Sequence, residues 1–428
     1  MSTKPILSLI SLLLIALLLS CSDNKSEMNV PHDPSKPIEI AYFTPDSGRI
    51  AEKLIIKGSN FGNDKSIVNV SFITDEGKEA EGTVIGVDNS TIYCIVPRQD
   101  DGLHEIALTV GDKTITSDKK FRYSVSENLS TIAGNWKESG HKDGSLSEAR
   151  FSNMYGIVAV DDDAVLVSQA WNGSGMRYVS VSDNKVITVQ NGVGIGKMTI
   201  TKDKSKVYGV GIVAPHVIYV YERAAAWAPR RVGELGRSLS KGDVWACALD
   251  KTEEWLYYLN TNGDFRRVKI TDTSENELLT ENLVSGNGVF KFIVYSEVDD
   301  CFYVNEMNSN VIKRVSPDGR DVVQLNDVQN PGNSDGYLTD AKFEDMLGMT
   351  VDEEGNLYVA QAASNVIRKI SFHNNFVSTP IGNGESGCDD GDPKVATLSL
   401  PADVYSDGQG NFWICTCWDP VIRKYAIE

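Results

Sequence analysis

From Ile38 to Tyr123, apolar stretches alternate with Gly, Asn and Asp turns roughly every eight to twelve residues. That spacing predicts a β-sandwich. Beyond residue 128 the pattern changes to paired apolar runs that recur. Asn356-Leu357-Tyr358-Val359-Ala360 leads through a short turn to Val366-Ile367-Arg368-Lys369-Ile370. Phe302-Tyr303-Val304-Asn305 leads likewise to Val311-Ile312-Lys313-Arg314-Val315, and Phe412-Trp413-Ile414-Cys415 to Val421-Ile422-Arg423-Lys424-Tyr425. Ahead of such units lie further copies. Lys142-Asp143-Gly144, Ala149-Arg150-Phe151 and Tyr155-Gly156-Ile157 match Ser334-Asp335-Gly336, Ala341-Lys342-Phe343 and Leu347-Gly348-Met349. A third copy holds Asp390-Gly391 and Ala402-Asp403-Val404. Repeated units of this kind bury their faces on one another.

Inner strands fall near Ile157, Met198, Ala246, Phe292, Met349 and Val404. The pattern therefore predicts six blades of four strands. The last blade has only three before the chain ends, and Ser130-Thr131-Ile132-Ala133 has no blade of its own. It is expected to complete the sixth, with Thr131 and Ile132 paired to Val421–Tyr425, because a closed ring removes open sheet edges. The fold class is all-β: an immunoglobulin-like β-sandwich, then a six-bladed β-propeller closed by an N-terminal strand.

The first residues follow a different pattern. Lys4 precedes a run, Ile6 to Leu19, that is apolar apart from Ser8 and Ser11. It is shorter than the roughly 20 residues a membrane span needs and reads as an export signal. Ser20-Cys21 then resembles a bacterial lipobox, which implies diacylation of Cys21. The polar stretch Ser22 to Glu27, with Pro31, Pro34 and Pro37 after it, reads as a tether. Its acidic start resembles the export signals of Bacteroidetes surface lipoproteins, implying an outer-membrane, surface-exposed location. The organisation is thus a signal peptide at 1–20, a lipidated tether at 21–36, the sandwich at 37–125 and the propeller at 128–428.

Within the sandwich, Phe43-Thr44-Pro45-Asp46-Ser47-Gly48, Gly58-Ser59-Asn60-Phe61-Gly62 and Ile95-Val96-Pro97 resemble the landmarks of the IPT/TIG immunoglobulin-like domains. That likeness implies a spacer or interaction module. The paired-strand units of the second module resemble NHL repeats.

Composition narrows the partners. The chain has 428 residues and a formal net charge of −18. Phosphate binding needs clustered Lys and Arg, so nucleic acid is excluded as a partner; the membrane is met through the lipid anchor alone. Seven Cys are present; setting aside Cys21 leaves an even number, which permits disulfides in an exported protein. Cys388, in the loop leading to blade 6, and Cys417, at that blade's second turn, are expected to pair.

In a propeller the second-to-third turns share a face with the blade-to-blade connections. Here that face also receives the long insertions, Asn135 to Met154, Asp327 to Met346 and Asn383 to Leu400. Loops on a rigid scaffold are where binding residues concentrate. The candidates there are Gln169, Trp171, Asn172, Asn260, Asp264, Glu306, Asn308, Gln361, Asn365, Trp418 and Asp419. Amides and carboxylates beside two indoles suit a glycan, and a protein ligand is the other partner such a face could take. NHL repeats often carry Asp at the end of the second strand; Glu306, Gln361 and Thr416 stand there instead. The alternative is a propeller hydrolase or lyase using a divalent ion on a small molecule. His141 and His216 fall on the long-loop face and His373 on the other, so a three-His zinc site does not assemble. Asp389-Asp390-Gly391-Asp392 resembles a fragment of a calcium loop without its remaining ligands. No cofactor, metal site or catalytic residue is therefore assigned.

Overall fold

A computed structural model describes residues 30–171, 175–236, 243–284, 288, 290–326 and 331–427. The expected signal peptide, Cys21 and the first part of the expected tether lie outside the described residues, as does Asn172. Two compact units divide at Ser126/Glu127.

In the first unit, eight strands between Glu39 and Tyr123 hydrogen-bond into one continuous curled sheet. Alternate residues point inward, so Leu54, Ile56, Val70, Phe72, Ile92, Ile106, Leu108 and Phe121 are fully buried. Phe61 plugs this core, also fully buried. Part of the expected tether is bound rather than free. Asn60 accepts from the Asp33 N–H at 2.9 Å and donates to the Asp33, Lys36 and Pro37 carbonyls. A single buried amide thus fixes the stretch leading into the first strand.

The second unit is a six-bladed propeller. Its four-stranded sheets begin at Met154, Thr199, Cys247, Lys291, Met346 and Pro401, and the fifth carries an extra two-residue strand, Gly336–Tyr337. The sixth sheet takes its outermost strand, Glu127–Gly134, from the start of the unit. Arg423 pairs with Thr131 and Ile422 with Ala133. The register shifts between them, so Ile132 falls at a bulge.

A repeated polar joint holds the long blade-leading loops. In blade 1 the guanidinium of Arg177, fully buried, donates to the Lys142 carbonyl at 2.8 Å, the Arg150 carbonyl at 3.0 Å and the Asp143 carboxylate at 2.6 Å. Asp143 in turn accepts from the backbone and hydroxyl of Thr188 on the outer strand. Blade 5 repeats the set with Arg368, Ser334, Lys342, Asp335 and Thr379. Blade 6 repeats it with Arg423, Asp389, Thr397 and Asp390, and there the outer-strand hydroxyl is that of Thr131. The Gly after each Asp has φ of 147°, 147° and 121°, a backbone that favours glycine. Blade 4 has Lys313 in place of the Arg of these three blades, and among the described residues its ammonium reaches the Leu283 carbonyl alone.

At the axis the Asp403 carboxylate, fully buried, accepts from Lys197 Nζ of blade 2 at 2.5 Å and from the Ile157 N–H of blade 1 at 3.0 Å. Burial pushes its pKa up and Lys197 pulls it back down. A Cβ on Gly348 of blade 5 would lie 2.0 Å from the same carboxylate. One ion pair therefore touches four blades.

Arg423→Met should destabilise the propeller by about 2 kcal/mol, since it leaves the buried Thr397 carbonyl and the part-buried Asp389 carbonyl without their donor and the half-exposed Asp390 carboxylate without its charge partner. Chemical denaturation followed by tryptophan fluorescence measures this. Stability within 1 kcal/mol of the parent would contradict the role given to the joint. Acid should act on the same joint in blade 1. Against a burial cost that pulls the other way, the Thr188 hydrogen bonds and the Arg177 charge hold the Asp143 carboxyl below its ordinary range. A depressed carboxyl contributes stability above its unfolded pKa that is lost as pH falls through the folded one. Asp143→Asn should therefore flatten the fall in stability below about pH 4, read by denaturation at stepped pH.

Candidate functional site

The second-to-third turns lie on the face that carries the blade-leading loops. Most of the amides and carboxylates expected to meet a ligand there are engaged by the protein instead. Gln169 is fully buried and donates to the Ser152 carbonyl and hydroxyl. Gln361, also buried, donates to the Gly332 carbonyl and Ser364 hydroxyl and accepts from Arg368. Asn260 and Asp264 close their own turn on each other, and Asp264 also accepts from the Asn282 N–H. Asn365 donates to the Gly384 carbonyl and accepts from the Leu400 N–H. Asp419 accepts from the Ser399 hydroxyl. A turn needs its backbone groups satisfied before a side chain is free for a ligand; this is why the amide pattern overstated the site.

Glu306 is fully buried at the end of a second strand, opposite Lys291 on the inner strand. Burial lowers the Lys291 pKa and the Glu306 charge raises it again. Asn308, beside them, is exposed.

The two indoles behave differently. Trp418 is 71% exposed and Trp171 41%. Tyr155, nearly buried, is the second residue of the inner strand of blade 1. Burial and the neighbouring Cys417 push that phenol's pKa up to about 12, while the two indoles pull it down. Beneath them, Trp245 contacts the Trp171 ring at 5.3 Å and the Tyr155 ring at 5.2 Å. Phe290 lies 4.4 Å from Trp245 and stacks on Tyr155 at 5.7 Å. Rings from blades 1, 3 and 4 thus converge at one end of the axis. Tyr155, Trp245 and Phe290 were missed from sequence. The available sign was that Tyr155 precedes Gly156 where the second copy has Leu347 before Gly348, an aromatic replacing an aliphatic beside the axis.

The expected disulfide does not form. Cys417 is buried with its thiol directed at the Leu400 carbonyl. Cys388 sits against the Thr131 hydroxyl beside the outermost strand of blade 6. The two loops share a face, but one thiol lies at the inner end of the blade and the other at its rim. His141 is held by Asn191 and His216 by the Gly211 carbonyl. Among the described residues no group of three or more His, Cys, Asp or Glu is placed to hold a metal ion.

A cavity of about 440 Å³ opens on the opposite face, where the inner strands of blades 2 to 6 end. Its floor is apolar, with Met198, Ala248, Ile293 and Met349. Its charged rim is largely paired within itself: Lys202 bridges to Glu297 at 3.0 Å and its N–H donates to Glu253.

Residues 39–123 match the IPT/TIG domain model. No curated protein matches the chain. A solved structure from Bacteroides thetaiotaomicron, a protein described as of unknown function, is 39% identical. The match covers 93% of this chain and all of that one, with a TM-score of 0.82. The chain belongs to the same family. This family joins an IPT/TIG domain to an NHL-like six-bladed propeller. Two more distant structures share the fold, each over 93% of this chain at a TM-score of 0.61. They are described as auxiliary nutrient binding proteins, one from Bacteroides thetaiotaomicron at 20% identity over 99% of its chain and one from Bacteroides ovatus at 21% over all of its chain.

Alkylation of the native soluble chain should label Cys388 first. Burial pushes the thiols of Cys94, Cys247 and Cys417 up to about 12 and that of Cys301 up to about 11, leaving almost no reactive thiolate. Denaturation without reductant should expose six labelling sites by intact mass; four would restore a disulfide.

Proposed function

We propose that this protein is a lipid-anchored binding protein of the outer-membrane surface whose propeller takes a glycan on its long-loop face. The observation that carries the reading is the pair of exposed indoles on that face, Trp171 and Trp418, the first seated on buried Trp245, which in turn contacts half-buried Phe290. Exposed aromatic rings on a rigid base present apolar area at low entropic cost, and pyranose rings offer a matching face of C–H groups. The description of two structural neighbours as nutrient binding proteins agrees with a binding role. The anchor rests on Ser20-Cys21 after the apolar run.

A glycan array probed with the chain lacking residues 1–21 tests the binding. Trp418→Ala should reduce the signal at least tenfold and Trp171→Ala by a smaller factor, with melting temperatures little changed. Equal signals from parent and both variants would remove the face from consideration. For the anchor, Cys21→Ala should shift the protein from the membrane to the soluble fraction of the native cell, seen on a blot after fractionation. Retention in the membrane would refute lipidation at that residue.

A further inference from the structure

We infer that the cavity on the face opposite the long loops is a second binding site, and that it takes a small organic cation with an apolar body. This site shares no residue with the glycan face and stands or falls apart from it. The cavity encloses about 440 Å³, within the range of sites for small molecules. Its apolar floor comes from four blades: Met198 of blade 2, Ala248 of blade 3, Ile293 of blade 4 and Met349 of blade 5. The two methionines let such a floor adapt to the shape laid on it. Val298, in the turn after the inner strand of blade 4, also lines the cavity and is exposed. One polar group of the wall is left over. Ser406 lines the cavity at 9% exposure, and among the described residues its hydroxyl oxygen has no hydrogen-bond partner. Buried polar groups are normally paired, so this oxygen is available to an N–H that enters.

Charge decides what enters. Six carboxylates and three ammonium groups line the cavity. Lys197 is already matched by buried Asp403, and Lys202 by Glu297. Lys204 donates to the Asp407 backbone carbonyl at 3.1 Å. Asp250, Asp352 and Asp407 are each held by backbone N–H groups of their own turns, and Glu253 accepts from the Lys202 N–H. Those donors are neutral; they fix the carboxylates in place without cancelling their charge. With Lys197 set against Asp403, the lining keeps an excess of four negative charges. An anion would be repelled there and a cation drawn in. A bare metal ion does not fit this arrangement. Among the described residues no group of three or more His, Cys, Asp or Glu is placed to hold one, and an apolar floor offers it no ligand. An organic ammonium suits both halves of the site. Its carbon body covers the floor, and its N–H groups reach the carboxylates and Ser406.

Calorimetry with the chain lacking residues 1–21 tests this with three probes of one shape and different charge: phenylpropylamine, phenylpropanol and phenylpropionate. The expected order is amine first, alcohol about fivefold weaker and carboxylate weakest of all. Glu253→Gln combined with Glu297→Gln keeps the hydrogen-bond acceptors and removes two charges. It should weaken the amine about fivefold and the alcohol less than twofold. Raised salt should do the same to the parent, and serves if the double variant folds poorly. Binding of none of the three probes overturns the inference. So does a carboxylate bound as tightly as the amine, because the charge argument then fails. Amine binding that neither the double variant nor salt weakens overturns it as well, since the amine is then held somewhere other than this cavity. The glycan array on the opposite face is decided separately, whichever of these results is obtained.

Discussion

The structure depends on a buried guanidinium used three times. Arg177, Arg368 and Arg423 each leave the third strand of a blade and hold the loop that leads into it, through two carbonyls and one aspartate. A buried charge is costly unless its hydrogen-bonding capacity is met, and a planar fork meets it with geometry that an ammonium cannot copy. The consequence is long loops that behave as part of the scaffold. In blade 6 the same joint does more, because its aspartate is also bound by Thr131. The ring is therefore sealed twice there, by strand pairing and by side chains.

The axis follows the same logic. At the axis a Cβ on Gly348 would clash with Asp403, and that one carboxylate collects donors from blades 1 and 2. With polar groups satisfied in the middle, the end of the axis on the long-loop face can be filled with aromatic rings. Trp245 and Phe290 complete that filling, and Trp171 and Trp418 remain above it. The opposite end stays open as a cavity with a rim of paired charges. A base that does not deform is what lets an exposed ring bind without a cost of ordering.

The blade count, the closing strand and the sandwich were legible because they follow from periodicity and from copies of a motif. The joint itself was visible as Asp-Gly, Ala-x-Phe and Val-Ile-Arg, but not as one device, since its members are 26 to 35 residues apart or more and meet only in the folded blade. The site was half legible. Trp171 and Trp418 stood out by type and position, whereas Gln169, Gln361, Asn260 and Asn365, chosen on the same two grounds, are committed to turns and loops. Sequence cannot tell an amide facing solvent from one closing a turn, because both follow a strand. The Cys388–Cys417 expectation failed for a related reason: sharing a face constrains height along the axis, not distance from it.

The closing strand also links the two units. Tyr123 ends the last strand of the sandwich and Glu127 begins the strand that seals the propeller, with three residues between them. Under the proposed anchoring at Cys21, any pull between membrane and ligand passes along this connection. It enters the strand at Glu127, opposite Ile427, the far end of the pairing from Gly134 and Val421. A strand loaded from one end opens one hydrogen-bonded pair at a time, so backbone pairing alone would be a weak seal. Thr131 lies midway along it and is tied through Asp390 to Arg423. Peeling must stop at that buried charge or expose it, which gives the third copy of the joint a mechanical reason to sit in the one blade assembled from both ends of the module.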